Sequence, residues 1–266
     1  MSFYGSSFLF DGIASEQYSL RISDLDISAI NEAMGSFDVE IKEQKILRRT
    51  VPYFYGAYAT PHLEFDMSCY SEDELTAADY QLIQKWLFGQ SLYKKLQIVQ
   101  YDMQDIFWWA ILNSPQTVKV GNRIMGCKFH VIANSPFGFS FPKTVTYSYT
   151  SSVVNNNEVF YNSSDDTANY MYPSCVITMN NIGGDVTITN SNDSSRVFEF
   201  TDLQADEVIT IDNSFQTISS SSGLRRLGNF NKHWLRFVPG INNLNIQGNV
   251  LSIAITFSNI VKKIGG

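Results

Sequence analysis

Few residues in this chain are equipped for chemistry. Phe230, His233, Trp234 and Arg236 fall within seven residues of one another. On a strand over residues 234–238, Trp234 and Arg236 share one face while His233, Leu235 and Phe237 share the other. A solvent-facing Trp beside an Arg can stack a sugar ring. The competing reading packs Trp234 into a β-sandwich and uses Arg236 to cap a sheet edge. Cleaving a sugar would need two carboxylates facing across a groove, whereas Asp165, Asp166 and Asp193 fall in turn-like stretches where solvated side chains are expected. Nucleophilic catalysis needs a Ser or Cys beside a His. The histidines are His62, His130 and His233, and no G-x-S-x-G elbow occurs. Gly223 and Gly228 flank Leu224-Arg225-Arg226-Leu227 without the spacing of a phosphate loop. Asp24-Leu25-Asp26 is too sparse a set for a metal. Cys69, Cys127 and Cys175 are odd in number and form no C-x-x-C pair, so buried reduced thiols are expected. The residues thus predict no enzyme, no cofactor and no metal.

The elements that would position these residues are mostly strands. Of 266 residues 44% are hydrophobic, enough for a real core, and the 14% that are aromatic lean the chain towards β-structure. The net charge of −7 argues against a basic nucleic-acid surface. Neither half hides one: through Pro142 there are 11 basic against 16 acidic residues, and from Lys143 onward 8 against 10. No charged-then-apolar leader opens the chain, and the most apolar window, residues 106–112, is far short of the ~20 residues of a membrane helix. A soluble protein made in the cytoplasm, with no membrane insertion, is the expectation.

Period-2 alternation marks strands through Tyr18, Leu20 and Ile22, through Phe37, Val39 and Ile41, and through Leu63, Phe65 and Met67. Residues 46–60 lie between the last two and carry Arg48-Arg49 and the aromatic turn Pro52-Tyr53-Phe54-Tyr55-Gly56, which predicts a long hairpin over about residues 37–67 with an exposed tip. One segment has helical spacing instead. Leu75, Ala78, Leu82, Ile83, Trp86 and Leu87 predict an amphipathic helix over about residues 73–89, begun by a Ser71–Glu74 capping box and stopped at Gly89. Strands follow at 96–100, 106–112 and 123–133. A boundary near Pro142–Thr150 separates domains 1–142 and 143–266, the second beginning with a Ser/Asn-rich loop. Beyond it come short strands at 174–179, 186–189, 197–200, 208–211, 215–219, 234–238, 243–246 and 251–257, the spacing of a β-sandwich or jelly roll.

Taken in order, these segments resemble the distal tail proteins of long, flexible-tailed bacteriophages. The opening Phe8-Leu9-Phe10-Asp11-Gly12-Ile13 and Ser15-Glu16-Gln17-Tyr18-Ser19-Leu20 are similar to that family's start. Gln84-Lys85-Trp86-Leu87, Phe107-Trp108-Trp109-Ala110 and the stretch from Phe129 to Phe137 follow in the family's order. So do Tyr172-Pro173-Ser174-Cys175-Val176-Ile177, Val186-Thr187-Ile188-Thr189-Asn190, Glu207-Val208-Ile209-Thr210-Ile211-Asp212 and the run from Trp234 to Asn242. The likeness spans about residues 5–257. Two departures stand out. The hairpin lacks the family's Pro-Gly-basic-Asn/Asp-Gly turn, and the second domain lacks the galectin His-Asn-Arg sugar pattern, which Trp234 and Arg236 do not replace.

The resemblance implies a mainly β protein: a tail-tube-like β-sandwich with one helix and a protruding hairpin arm, then a galectin-like sandwich. It implies a structural hub of the phage tail tip, a homohexameric ring, single or stacked in two, that joins the tail tube protein to tail-tip and receptor-binding proteins. DNA passes through its lumen, and the protein resides in the virion. The residues add that an acidic ring would repel phosphate rather than grip it. They also add that Arg48, Arg49, Tyr53, Phe54 and Tyr55 are candidate contacts between subunits, since an exposed aromatic tip invites association; the competing reading folds these aromatics back on their own sheet. The alternative is a carbohydrate-binding adhesin acting through Trp234 and Arg236.

Overall fold

The computed structural model describes residues 6–23, 39–59, 62–101, 103–150 and 153–262. Asp24, Asp26 and Phe37 lie outside them. The chain divides into two compact units, Met1–Ser140 with Lys262–Gly266, and Phe141–Val261.

The first unit holds strands β1 (Ser7–Phe10), β2 (Ile13–Ala14), β3 (Arg21–Ile22), β4 (Val39–Gln44), β5 (Tyr53–Ala59) and β6 (Glu64–Tyr70). Helix α1 (Ala77–Phe88) follows, then β7 (Lys94–Val99), β8 (Ile106–Val120), β9 (Arg123–Ala133) and β10 (Gly138–Ser140). The main sheet runs β2-β1-β7-β8-β9-β6-β3, antiparallel throughout. Its ends meet, because the Ile22 N–H donates to Ser6 O at 2.9 Å and draws the strand after β2 back beside β1. Alternation explains the core: Phe8, Phe10, Leu96, Ile98, Phe129 and Val131 all point inward and are buried.

Helix α1 is shorter than its sequence pattern predicts. The capping box sits at Thr76 and Asp79, not at Ser71 and Glu74: Thr76 Oγ1 accepts from the Asp79 N–H at 3.2 Å, and the Thr76 N–H donates to Asp79 Oδ2 at 3.3 Å. The reason lies next door. The Ser71 N–H donates to Met125 O and the Leu75 N–H to Ile124 O, so residues 71–75 are held as a neighbour of β9 and cannot start a helix. Ala78 and Leu82 face solvent, and only Ile83, Trp86 and Leu87 of the helix are buried. Trp86 anchors it, stacking on Tyr18 (5.0 Å between centroids) and Phe8 (5.7 Å) and donating its indole N–H to Phe10 O at 3.0 Å. Gly89 caps the helix C-terminus by donating its N–H to Lys85 O, a position where an added Cβ would lie 2.5 Å from that oxygen.

The hairpin is also shorter than expected. Strands β4 and β5 form a two-stranded sheet of their own, whereas the strand of Phe65 and Met67 is β6, paired to β9 inside the main sheet. Tyr53-Phe54-Tyr55 is therefore the start of β5 rather than a turn, and the connection spans residues 45–52.

The second unit is a β-sandwich. One sheet has the order β11-β19-β13-β16-β17 and the other β12-β18-β14-β15. The strands are β11 (Lys143–Ser148), β12 (Val154–Asn162), β13 (Ser174–Met179), β14 (Gly184–Asn190), β15 (Arg196–Leu203), β16 (Val208–Asp212), β17 (Thr217–Ser220), β18 (Gly240–Gly248) and β19 (Val250–Phe257), with a short β20 (Ile260–Val261). Phe160, Phe198, Phe200, Phe230 and Phe237 fill the space between sheets, Phe160 stacking on Phe237 at 4.1 Å.

Two sequence expectations fail here. The Ser/Asn-rich stretch is not all loop: β12 runs through Asn155, Asn156 and Asn157, whereas residues 163–170 lie outside any strand. The outward Asn155 and Asn157 accept hydrogen bonds from Asn245 on β18, so a strand that carries three consecutive asparagines reads as a loop. Residues 234–238 form no strand; only Phe237 bridges, to Met171.

Candidate functional site

Two places carry the residues singled out by sequence, one in each unit. In the first unit they gather on the β4–β5 hairpin. Ile41 pairs Ala57, Lys42 pairs Gly56, Glu43 pairs Phe54 and Gln44 pairs Tyr53. The register shifts between Lys42 and Glu43, leaving Tyr55 as the extra residue of a bulge; Gly56 follows at φ +136, a conformation that favours glycine. The Tyr55 hydroxyl ties the bulge to the opposite strand by donating to Gln44 Oε1 at 3.0 Å. Arg49 lies over the Tyr53 ring at 4.2 Å. Arg48, at φ +66, turns the chain at the tip.

The hairpin is exposed on both faces. Leu47 is 88% exposed, Phe54 65% and Tyr55 60%, and Ile41, Val51 and Tyr53 are exposed as well. A two-stranded ribbon cannot bury its own side chains. The structure thus brings Arg48, Arg49, Tyr53, Phe54 and Tyr55 together on one hairpin and leaves them facing solvent. Ile41, Leu47 and Val51 belong to the same surface; they were legible as apolar residues inside the predicted hairpin but carried no aromatic signal.

In the second unit, Trp234 and Arg236 do come close, but both are engaged. Arg236 forks onto Asp193, Nε to Oδ2 at 2.8 Å and Nη2 to Oδ1 at 3.0 Å, with its guanidinium 3.8 Å over the Tyr170 ring. The Asp193 carboxylate raises the Arg236 pKa further still. Asp193 and Asp166 are buried rather than solvated: the Asp193 carboxylate is taken up by Arg236, and Asp166 works inside its own turn, accepting from the Ala168 N–H and the Asn169 amide. Trp234 packs edge-on against Phe230 at 4.8 Å. The recess among Asn190, His233, Trp234 and Arg236 measures about 10 Å³, room for a single water and not for a sugar ring.

His130 on β9 meets Asp66 (Nδ1–Oδ1 2.8 Å) and Glu64 (Nε2–Oε2 3.3 Å) on β6, and the Asp66 hydrogen bond raises its pKa. His62 lies 3.0 Å from Ala133 O and His233 3.1 Å from Val197 O. The three cysteines are buried and reduced, but Cys69 and Cys127 stand directly opposite each other on β6 and β9, which spacing along the chain conceals. Burial pushes the Cys175 thiol up to about 12. Among the described residues no group of three His, Cys, Asp or Glu is placed to hold a metal, and no helix is long and apolar enough to cross a membrane.

Comparison with known proteins bears on the whole chain. Residues 3–135 match the family model described as a phage tail protein N-terminal domain, and residues 137–258 match the one described as a phage tail C-terminal domain. No curated protein matches. Among solved structures, the fold is similar to the Dit (gp 19.1) protein of phage SPP1, described as a paradigm of the hub adsorption apparatus in phages infecting Gram-positive bacteria. That match has a TM-score of 0.71 at 9% identity, over 96% of this chain and 98% of that one. Chains of the phage p2 baseplate in its activated conformation are similar too. With Ca the TM-score is 0.57 at 8% identity, over 92% and 91% of the two chains. With Sr it is 0.55 at 9% identity, over 94% and 96%.

Proposed function

Because the chain belongs to the phage tail protein family whose two domain models it matches, we propose that it is the ring-forming structural hub of the tail tip. The chain is a tail component of the virion with a structural role. On this reading six copies of the first unit close into a ring, single or stacked, below the tail tube protein. The second unit carries tail-tip and receptor-binding proteins, and DNA crosses the lumen.

The observation that carries the reading is the β4–β5 hairpin. It pairs with no other strand among the described residues and exposes Ile41, Leu47, Val51, Phe54 and Tyr55. Such a surface on an isolated molecule is an association site. A contact between a hairpin and a different surface of the next copy is heterologous, and heterologous contacts close into rings when the rotation allows. Charge supports the lumen. With 11 basic against 16 acidic residues through Pro142, six first units would repel phosphate and offer it no counterion-release affinity. For the adhesin alternative the described residues offer no comparable feature, since Arg236 pairs with Asp193 and Trp234 packs against Phe230.

Electron microscopy of the purified protein tests this: six-fold rings with a central opening are expected. A variant whose residues 46–51 are replaced by a two-residue turn should give single particles with an unchanged circular dichroism spectrum. Isolated molecules in the unaltered protein would overturn the reading.

A further inference from the structure

Both halves of a complementary contact lie exposed on the first unit. We propose that the Leu47-Arg48-Arg49 tip of one copy seats in the cleft between residues 17–19 and the start of helix α1 on the next copy. The proposal rests on the ring reading above and adds to it the surface on which the hairpin lands.

The cleft has a volume of about 210 Å³ and is lined by Gln17, Tyr18, Ser19, Ser71, Asp73, Glu74, Leu75 and Asp79. That is below the ~300–1,000 Å³ of ordinary small-molecule sites and suits a side chain or two delivered by a loop. Its acidity alone would mean little, but Ser71 adds an independent signal. This residue is 2% exposed and its Oγ has no hydrogen-bond partner, although it borders the cleft. A buried hydroxyl without a partner is short of a hydrogen bond, which a donor arriving in the cleft would supply.

The electrostatics of tip and cleft are opposite. Asp73 has no ion pair among the described residues. Glu72 and Glu74 hold only long, exposed pairs, with Arg21 at 3.6 Å and Arg123 at 3.5 Å. The tip presents Lys45, Arg48 and Arg49, all exposed. Guanidinium groups fork onto carboxylates and donate to hydroxyls, which matches Asp73, Glu74 and Ser71. Leu47, the most exposed of the tip's apolar residues, finds Tyr18 and Leu75 among the cleft walls. Tip and cleft belong to one chain, so each copy offers one of each, as a closed ring of identical contacts requires.

A Leu47→Cys/Asp73→Cys double variant, oxidised with copper–phenanthroline, tests the contact on a non-reducing denaturing gel. A ladder of covalent multimers that collapses with dithiothreitol is expected. A ring by light scattering with no ladder, or with only single chains bridged internally, overturns the cleft assignment and leaves the ring standing. An unaltered protein of single-chain mass overturns both. Charge exchange provides a second reading: Asp73→Arg should raise the concentration at which rings fall apart about tenfold or more. Combining it with Arg48→Asp should restore most of that loss. An Asp73→Arg ring as stable as the unaltered one would contradict the proposal.

Discussion

At the scale of single residues, the most consequential group is one that no motif flags. Glu207 is buried in the sandwich unit and receives Arg226 on both oxygens, Nε to Oε1 at 2.8 Å and Nη2 to Oε2 at 2.5 Å. Ser220, Ser222 and the Gln204 N–H also donate to it. Burial pushes the carboxyl pKa up, but these donors outweigh it, and it is held at about 2 against an ordinary 4.5. Removing one member of a buried pair leaves the other charged and unpaired. Glu207→Gln should therefore cost the sandwich about 3–5 kcal/mol in denaturant unfolding at neutral pH. Because the folded pKa is depressed, the contribution is complete above the unfolded value and fades as pH falls through the folded one. The gap between Glu207→Gln and the unaltered protein should accordingly narrow from about pH 5 down to pH 2. A gap that stays constant over that range would contradict the assignment. The pair escaped the sequence reading for the same reason that Asp193 passed for a solvated turn residue. Arg226 lies in a segment marked only by its flanking glycines, and Arg236 is far along the chain from Asp193, so folding alone reveals who neutralises whom.

At the scale of elements, legibility follows the clarity of the periodic signal. Strands β13, β16 and β19 were readable because buried apolar residues recur at every second position, with serine and threonine among the residues between them, in an otherwise helix-free stretch. Strand β12 was not, since Asn155, Asn156 and Asn157 run consecutively near its start and asparagine is depleted in strands, although two of them bond to Asn245 on β18. Helix α1 was readable as an element but not at its start. Two capping boxes compete in the sequence, and backbone bonds from Ser71 and Leu75 to the β9 neighbourhood decide for the later one. Thr76→Ala should then cost about 1 kcal/mol in thermal or denaturant unfolding. Ser71→Ala, which removes a hydroxyl without a partner, should cost less or nothing in the isolated chain. The reverse order would show that the helix begins where the sequence pattern alone puts it. The hairpin was legible as an exposed aromatic feature, whereas its true extent depended on β6 joining the main sheet, a pairing with β9 some sixty residues away.

At the scale of the whole molecule, composition and fold point the same way. Each unit closes its own aromatic and aliphatic core, and what remains apolar outside those cores includes one ribbon, β4–β5, built too thin to bury anything by itself. On the proposed ring reading, such a ribbon joins acidic copies around a passage that does not hold nucleic acid. Size-exclusion chromatography with multi-angle light scattering measures this directly on the purified protein. A particle of six times the 30.1 kDa chain mass is expected, or twelve times if two rings stack. A mass of 30.1 kDa at every concentration tested would contradict it.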